Sequence, residues 1–388
     1  MKKRIIISSN NPLFNFAHKN SAIALFLSSI SELLSEKYDV EIYPNEKRLD
    51  SNSMVLKKSW FKKIAKRTFS LFYTLFKEYR YLKNQKEFIN KFWKTKYDQE
   101  MLIEFLSYGQ SLSTHSNNTN TKIIIIYDCP LHTQYQEMNL NKSFILDKII
   151  AEEKKAVLEA DGLIVYSESV LNSLKEQGLI ENQEVLVQPA IAFDSLLSGD
   201  EKNRNHSEIN IGFIGSFLVW HKVSLLVKVF EELADKLDNI NLYLVGYGIE
   251  WAKIKKQVEV SRFFNRIHLT GYVTDDELRI IKRKLDIGVM PGSNWYGSPL
   301  KIFEYGALGI PVIAPNEPTI IDCFQKDHEI LIIDKKDEHN SLRKLIYTLS
   351  VDEEQRKLMG KRIKKRMNQD YNKIKYKEKL FNLIDKVL

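Results

Sequence analysis

The chain has 388 residues, 44% hydrophobic and 28% charged, with a formal net charge of +8. That length suits two domains, and the composition excludes a disordered chain; no run of ~18 apolar residues exists that could span a bilayer. The charge is uneven: residues 57–96 hold thirteen Lys or Arg against Glu78 and Glu87, an excess of +11, so the rest of the chain sums to −3.

The first apolar run, in "MKKRIIISSNNP", is three isoleucines long, which reads as a first strand (4–8) and not as a signal peptide. Residues 21–36 set Ile23, Phe26, Leu27, Ile30, Leu33 and Leu34 at helical spacing, and 40–43 reads as the next strand. In the basic segment, Phe69, Phe72, Tyr73, Phe76 and Tyr79 recur at helical spacing among the cations. Two readings stand: an interfacial amphipathic helix on anionic lipid, or an aromatic stripe packed on the sheet with its lysines in water. Further strands are predicted at 100–106, 122–127, 162–167 and 184–190, with a charged helix at 144–160. The two cysteines, Cys129 and Cys323, have no metal-ligand spacing and suit a reducing cytoplasm.

Residues 198–207, "SGDEKNRNHS", carry no apolar side chain and read as a linker. Beyond them strands at 209–215, 240–246, 267–272, 286–291, 311–315 and 330–334 alternate with helices near 222–236, 250–260 and 275–284. Strands alternating with helices predict an α/β protein of two Rossmann-like domains, 1–195 and 208–370, followed by a terminal helix at 371–388.

The densest chemistry lies in "NWYGSPLKIFEYGALGIPVIAP", residues 294–315. Ser298 can cap a helix, Pro299 suits its first turn, and Gly309 ends it before Pro311. Strand 286–291 points its carboxyl end at this helix, where open α/β sheets bind ligands. Free amides after Gly297 and Ser298 would form an anion site, with Lys301 one turn along and Glu304 behind it as an acceptor for hydroxyls. An anion beside a diol describes a nucleotide-sugar diphosphate and its ribose; the alternative is a surface Lys301–Glu304 pair.

"SPLKIFEYGALGIPVIAP" resembles the donor-site signature of GT-B-fold glycosyltransferases, specifically the retaining family 4. "FIGSFLVWHKVSLLVKVF" (213–230), "LYLVGYG" (242–248), "IHLTGYVTDDELRIIKRKLDIGVMPG" (267–292) and "SVDEEQRKLMGKR" (350–362) resemble its other segments, so the likeness covers most of 209–370. The resemblance implies two domains facing each other across a cleft, with the terminal helix crossing back. It assigns ribose to Glu304 and the rest of the donor site to Gly215, Ser216, His221, Lys222, Gly246, Tyr272, Val273, Tyr296, Gly297, Ser298, Pro299, Leu300 and Lys301. Two departures stand out: Tyr296 replaces the first of the family's two glutamates, and Ser216 the arginine after the glycine turn. Diphosphate charge then falls to Lys301, the helix N-terminus and either His221 or Lys222, a choice the spacing of "WHK" leaves open.

No Asp-x-Asp motif occurs, and Asp275 and Asp276 read as first-turn acids behind the capping box Thr274…Glu277; Ser350…Glu353 carries the same signature. A metal-free reaction without cofactor is the expectation, its catalytic groups being Lys222, Lys301 and Asp128. On the acceptor side the resemblance points to Asn11, His18 and Lys19 in the first loop and to Asp128 or His132 after strand 122–127, of which Asp128 is preferred. The implied partners are a nucleotide diphosphate sugar and a saccharide or lipid-linked acceptor in surface polysaccharide assembly. No nucleic-acid motif accompanies the basic segment. The implied location is the cytoplasm, with peripheral contact to the inner face of the membrane if 57–96 is an anchor.

Overall fold

The structure is a computed structural model. It describes residues 2–9, 22–43, 83, 86–95, 99–106, 111–115, 120–137, 146–191 and 208–388. The expected acceptor residues Asn11, His18 and Lys19, the linker 198–207 and most of the basic segment lie outside the described residues.

The chain divides into two compact units, Met1–Gln188 with Lys377–Leu388, and Pro189–Tyr376. In the first unit six strands, β1 (Arg4–Ser9), β2 (Asp39–Tyr43), β3 (Met101–Leu106), β4 (Lys122–Tyr127), β5 (Gly162–Val165) and β6 (Glu184–Val187), form a sheet in the order β2-β1-β3-β4-β5-β6. Every neighbouring pair is parallel. The unbroken apolar runs "RIII", "MLI" and "KIIII" belong to its interior strands, because a parallel sheet covered on both faces buries successive side chains alike. The described end of the basic segment, helical residues 86–95, packs inward: Ile89 and Phe92 are buried, and Phe88 stacks on Tyr43 of β2. Lys86, Lys91 and Lys94 face water. The aromatic stripe from Phe69 to Tyr79 lies outside the described residues.

Residues 377–388 close the same unit. Tyr38 meets Phe381 edge-on, Lys37 and the Tyr38 hydroxyl both reach Asp385, and a Cβ at Gly162 would touch Val387.

In the second unit β7 (Ile209–Ile214), β8 (Ile240–Val245), β9 (Ile267–Gly271), β10 (Ile287–Val289), β11 (Val312–Pro315) and β12 (Leu331–Ile333) are again all parallel, ordered β12-β11-β10-β7-β8-β9. Numbered from β7, this is the 3-2-1-4-5-6 order of doubly wound sheets, with the switch point between β7 and β10. The amphipathic helices Val223–Ala234 and Glu338–Val351 cover one core, in which Ile211, Phe213, Phe230, Leu242, Val289 and Ile346 are buried.

Two helix termini follow the predicted signals. Thr274 and Glu277 make the reciprocal capping box at the helix Asp275–Lys284, and Gly309 takes a φ of +66° behind the helix Leu300–Ala307. Two expected caps are corrected. Ser298 does not cap: Pro299 occupies the N-cap position, and the Ser298 hydroxyl donates to the Ala190 carbonyl at 3.2 Å. Ser350 lies inside the helix Glu338–Val351, and Asp352 caps the next helix, Glu353–Asp370, by accepting from the Gln355 amide at 2.8 Å. A carboxylate at that position outcompetes a serine two residues earlier because it meets the helix dipole with a full charge.

Candidate active site

The switch point is built from glycines. Gly212 on β7 pairs with Gly288 on β10, and a Cβ at Gly288 would lie 2.5 Å from the Tyr305 ring. With that space open, the buried Tyr305 hydroxyl accepts from the Ile214 amide at 3.0 Å and lies 3.4 Å from the Gly212 carbonyl. Tyr305 thus bolts the helix Leu300–Ala307 to the carboxyl end of β7.

Beyond β7 the chain turns at Gly215, φ +148°, against which Gly246, φ +132°, packs so tightly that a Cβ on Gly246 would overlap the Gly215 carbonyl. Gly215 itself faces Lys301, whose Cε would lie 3.0 Å from an added Cβ. Gly246 is therefore needed for the close packing on Gly215, and Gly215 leaves room for this lysine.

Lys301 is the centre of the site. Its ammonium lies 3.2 Å from His221 Nε2 and 5.4 Å from the centroid of Phe213. Loss of water drags its pKa down to about 8, against the nearby Glu304 charge that acts to raise it. His221 is buried, and its Nδ1 lies 2.6 Å from the Ser216 carbonyl. A carbonyl can only accept, so Nδ1 carries the proton and Nε2 is left to accept from Lys301. Burial first, and the Lys301 charge second, push the His221 pKa to about 3, so the imidazole is neutral.

Lys222 behaves differently. Its φ of +50° turns it aside, its stem lies along Gly292, and its ammonium grips both oxygens of Glu338 at 2.6 Å. The structure brings His221, and not Lys222, to Lys301.

Glu304, one turn behind Lys301, pairs with Lys282 at 2.8 Å. The lysine is 2% exposed, an unusual state for an ammonium, and it sits in the run "RIIKRK" where nothing in the pattern marks it for burial. Of the amides expected to face an anion, that of Gly297 is taken by the Asn294 side chain at 2.7 Å and that of Leu300 by the Ser298 carbonyl at 2.9 Å. The amides of Ser298 and Lys301 keep no acceptor among the described residues. Tyr296 is buried, with Trp295 edge-on to it.

At the neighbouring strand ends Tyr272 is 78% exposed and stacks on Tyr247, which leans on Trp251; Trp251 stacks in turn on Phe217. Val273, half-buried, follows into the capped helix.

In the first unit Asp128 follows β4 directly. Burial lifts its carboxyl to about 6, against a hydrogen bond from Tyr166. Beside it Glu153 is buried, accepts from the Tyr127 hydroxyl and from the Leu131 amide at 3.1 Å, and is lifted to about 7 by lost solvation. Glu153 therefore braces the turn that leads to the helix Leu131–Glu137; His132 lies on that helix, its side chain outside the described residues. Among the described residues no group of three or more His, Cys, Asp or Glu is placed to hold a metal ion.

Residues 198–366 match the family model described as glycosyl transferases group 1. The matched stretch holds the whole switch-point site, from Gly215 through Glu304. A curated relative, 2-deoxystreptamine N-acetyl-D-glucosaminyltransferase from Niallia circulans, is 19% identical over 223 residues, covering 55% of this chain and 57% of its own length. Sucrose-phosphate synthase from Thermosynechococcus elongatus superposes with a TM-score of 0.73 at 16% identity, covering 99% of each chain. WaaG, a glycosyltransferase involved in lipopolysaccharide biosynthesis, gives 0.66 at 12%, covering 97% of this chain and 98% of its own. TarM of S. aureus gives 0.58 at 17%, over 73% of this chain and 55% of its own. The chain therefore spans little more than half the length of the first curated relative and of TarM. Together these likenesses show the GT-B fold.

Proposed function

We propose that this protein transfers a sugar from a nucleotide diphosphate sugar to a hydroxyl of a saccharide or lipid-linked saccharide. One observation carries the reading: within the stretch that matches the group 1 family model, the Lys301 ammonium stands at the switch point, held by a neutral imidazole, with the Glu304 carboxylate one turn behind it. The ammonium and the amides of Ser298 and Lys301 suit a diphosphate; the carboxylate suits the ribose hydroxyls.

The chemical step needs charge stabilisation on the departing nucleoside diphosphate as the glycosidic bond breaks. A preformed cation in a partly desolvated site supplies it without a metal, and retention of configuration is the stereochemical expectation for this family. The exposed Tyr272–Tyr247 stack supports a place for the nucleobase. Asp128 is the candidate for orienting the attacking hydroxyl, with its carboxyl raised toward neutrality as a proton acceptor at work near pH 7 requires.

Solved relatives with this fold include Anabaena HepE in complex with UDP-glucose and the pneumococcal GtfA with UDP and GlcNAc, which makes UDP-sugars the first donors to try. A second reading, a nucleotide-sugar binder without turnover, draws on Tyr296, a buried ring where the family's motif places a carboxylate. Calorimetry with a panel of UDP-, GDP-, ADP- and CMP-sugars, followed by donor hydrolysis and transfer assays in EDTA, tests both. Binding with turnover supports the transferase. Binding without any turnover supports the binder, and activity lost in EDTA and restored by manganese would overturn the metal-free step.

A further inference from the structure

The pairing of Glu304 is unexpected. On an isolated helix a glutamate three residues after a lysine pairs with it. Here the Lys301 ammonium is partly desolvated and has a neutral imidazole, not a carboxylate, as its polar neighbour. Glu304 is close enough for its charge to act on Lys301, yet its carboxylate goes to the buried Lys282 of another helix. The polar row at the switch point thus reads Lys282, Glu304, Lys301, His221, Ser216 carbonyl, with the ion pair formed at one end only.

We propose that Lys282 is a positioning residue that holds Glu304 away from Lys301 and so keeps the Lys301 ammonium available for the ligand's diphosphate. Without that hold, Glu304 and Lys301 would close on each other. The diphosphate would then have to break an ion pair before meeting its cation, and it would meet an unneutralised carboxylate on the way. Lys282 removes both costs: it fixes Oε2, leaves Oε1 for hydroxyls, and cancels the negative charge that would repel phosphate. This inference rests on the reading of Lys301 as the phosphate cation.

The test uses the full chain and two probes, inorganic pyrophosphate and UDP, by calorimetry. Lys282→Met should weaken pyrophosphate binding about tenfold, the ratio that about 1.4 kcal/mol of competition produces. Lys282→Arg, which keeps the charge, should restore it. The double variant Lys282→Met/Glu304→Gln leaves no carboxylate to compete and no buried unpaired charge, so it should bind pyrophosphate as tightly as the unmodified chain. Unchanged affinity in Lys282→Met, or a tenfold loss in the double variant, would overturn the proposal; the second result stands even where the single variant does not fold. A chain that binds pyrophosphate in this pattern but no UDP or other nucleotide sinks the functional reading and leaves this inference standing.

Discussion

At the scale of single residues, the site is one titrating cation beside one imidazole that does not titrate. Lys301 loses its proton as pH rises through about 8, because burial has lowered its pKa from the ordinary lysine value. Affinity for a nucleoside diphosphate should therefore fall as pH is raised above about 8, by up to roughly tenfold per unit, and Lys301→Met should bind weakly with a flat profile. His221 stays neutral down to about 3, so it contributes no acidic limb to a rate profile above that pH; an acid limb abolished by His221→Gln would contradict the neutral imidazole. Glu304→Gln should cost about 3 kcal/mol in thermal or denaturant unfolding, because it strands the Lys282 charge out of water, and adding Lys282→Met should recover most of that loss. The motif around Lys301 and Glu304 was legible in the sequence because helix, turn and strand lie within a single short stretch. Lys282 was not, since a lysine in "RIIKRK" looks like any solvated one. The choice between His221 and Lys222 was equally hidden: it hangs on a left-handed backbone at Lys222 and a partner, Glu338, 116 positions away.

At the scale of elements, the helix Leu300–Ala307 depends on a tyrosine reaching across a glycine. Gly288→Ala puts a methyl against the Tyr305 ring inside a packed parallel sheet, where overpacking costs about 1–3 kcal/mol. Tyr305→Phe removes the acceptor of the Ile214 amide and should cost about 1–3 kcal/mol, as an unsatisfied buried donor does. Both variants should raise the donor KM along with lowering Tm, because the same helix carries Lys301 and Glu304; a Tm change with an unmoved KM would separate the bolt from the site. Strand order in both units was readable from apolar runs separated by amphipathic ones, whereas the short helices Leu131–Glu137 and Glu168–Glu176 were not expected. The caps were less readable. Ser298 and Ser350 carry the residue type of a cap, but Ser298 is drawn to the Ala190 carbonyl and Asp352 outbids Ser350, contacts that depend on packing rather than on local pattern.

At the scale of the whole molecule, the basic segment remains the open half of the charge distribution. Residues 86–95 pack on β2, so an anchoring role falls to 57–82, which lie outside the described residues. If that part binds anionic vesicles at low salt, each Lys or Arg at the surface contributes ~1 kcal/mol, and replacing Lys62, Lys63, Lys66 and Arg67 with glutamine should release the protein without changing donor hydrolysis. Vesicle flotation that is equal in both proteins would end the electrostatic anchor. The division of the chain has a consequence for how the protein is made. The second unit, Pro189–Tyr376, is continuous, whereas the first takes its last layer, with Leu380, Leu383, Ile384 and Val387 buried, from residues 377–388. In synthesis that layer follows the whole of the second unit, so the first unit cannot cover its own apolar strip before residues 377–388 are available. N-terminal-first folding, the usual order for multidomain chains, cannot run to completion here. A released chain that ends at Tyr376 should hold a protease-resistant second unit beside a first unit that is readily cleaved, and adding residues 377–388 as a separate peptide should restore resistance.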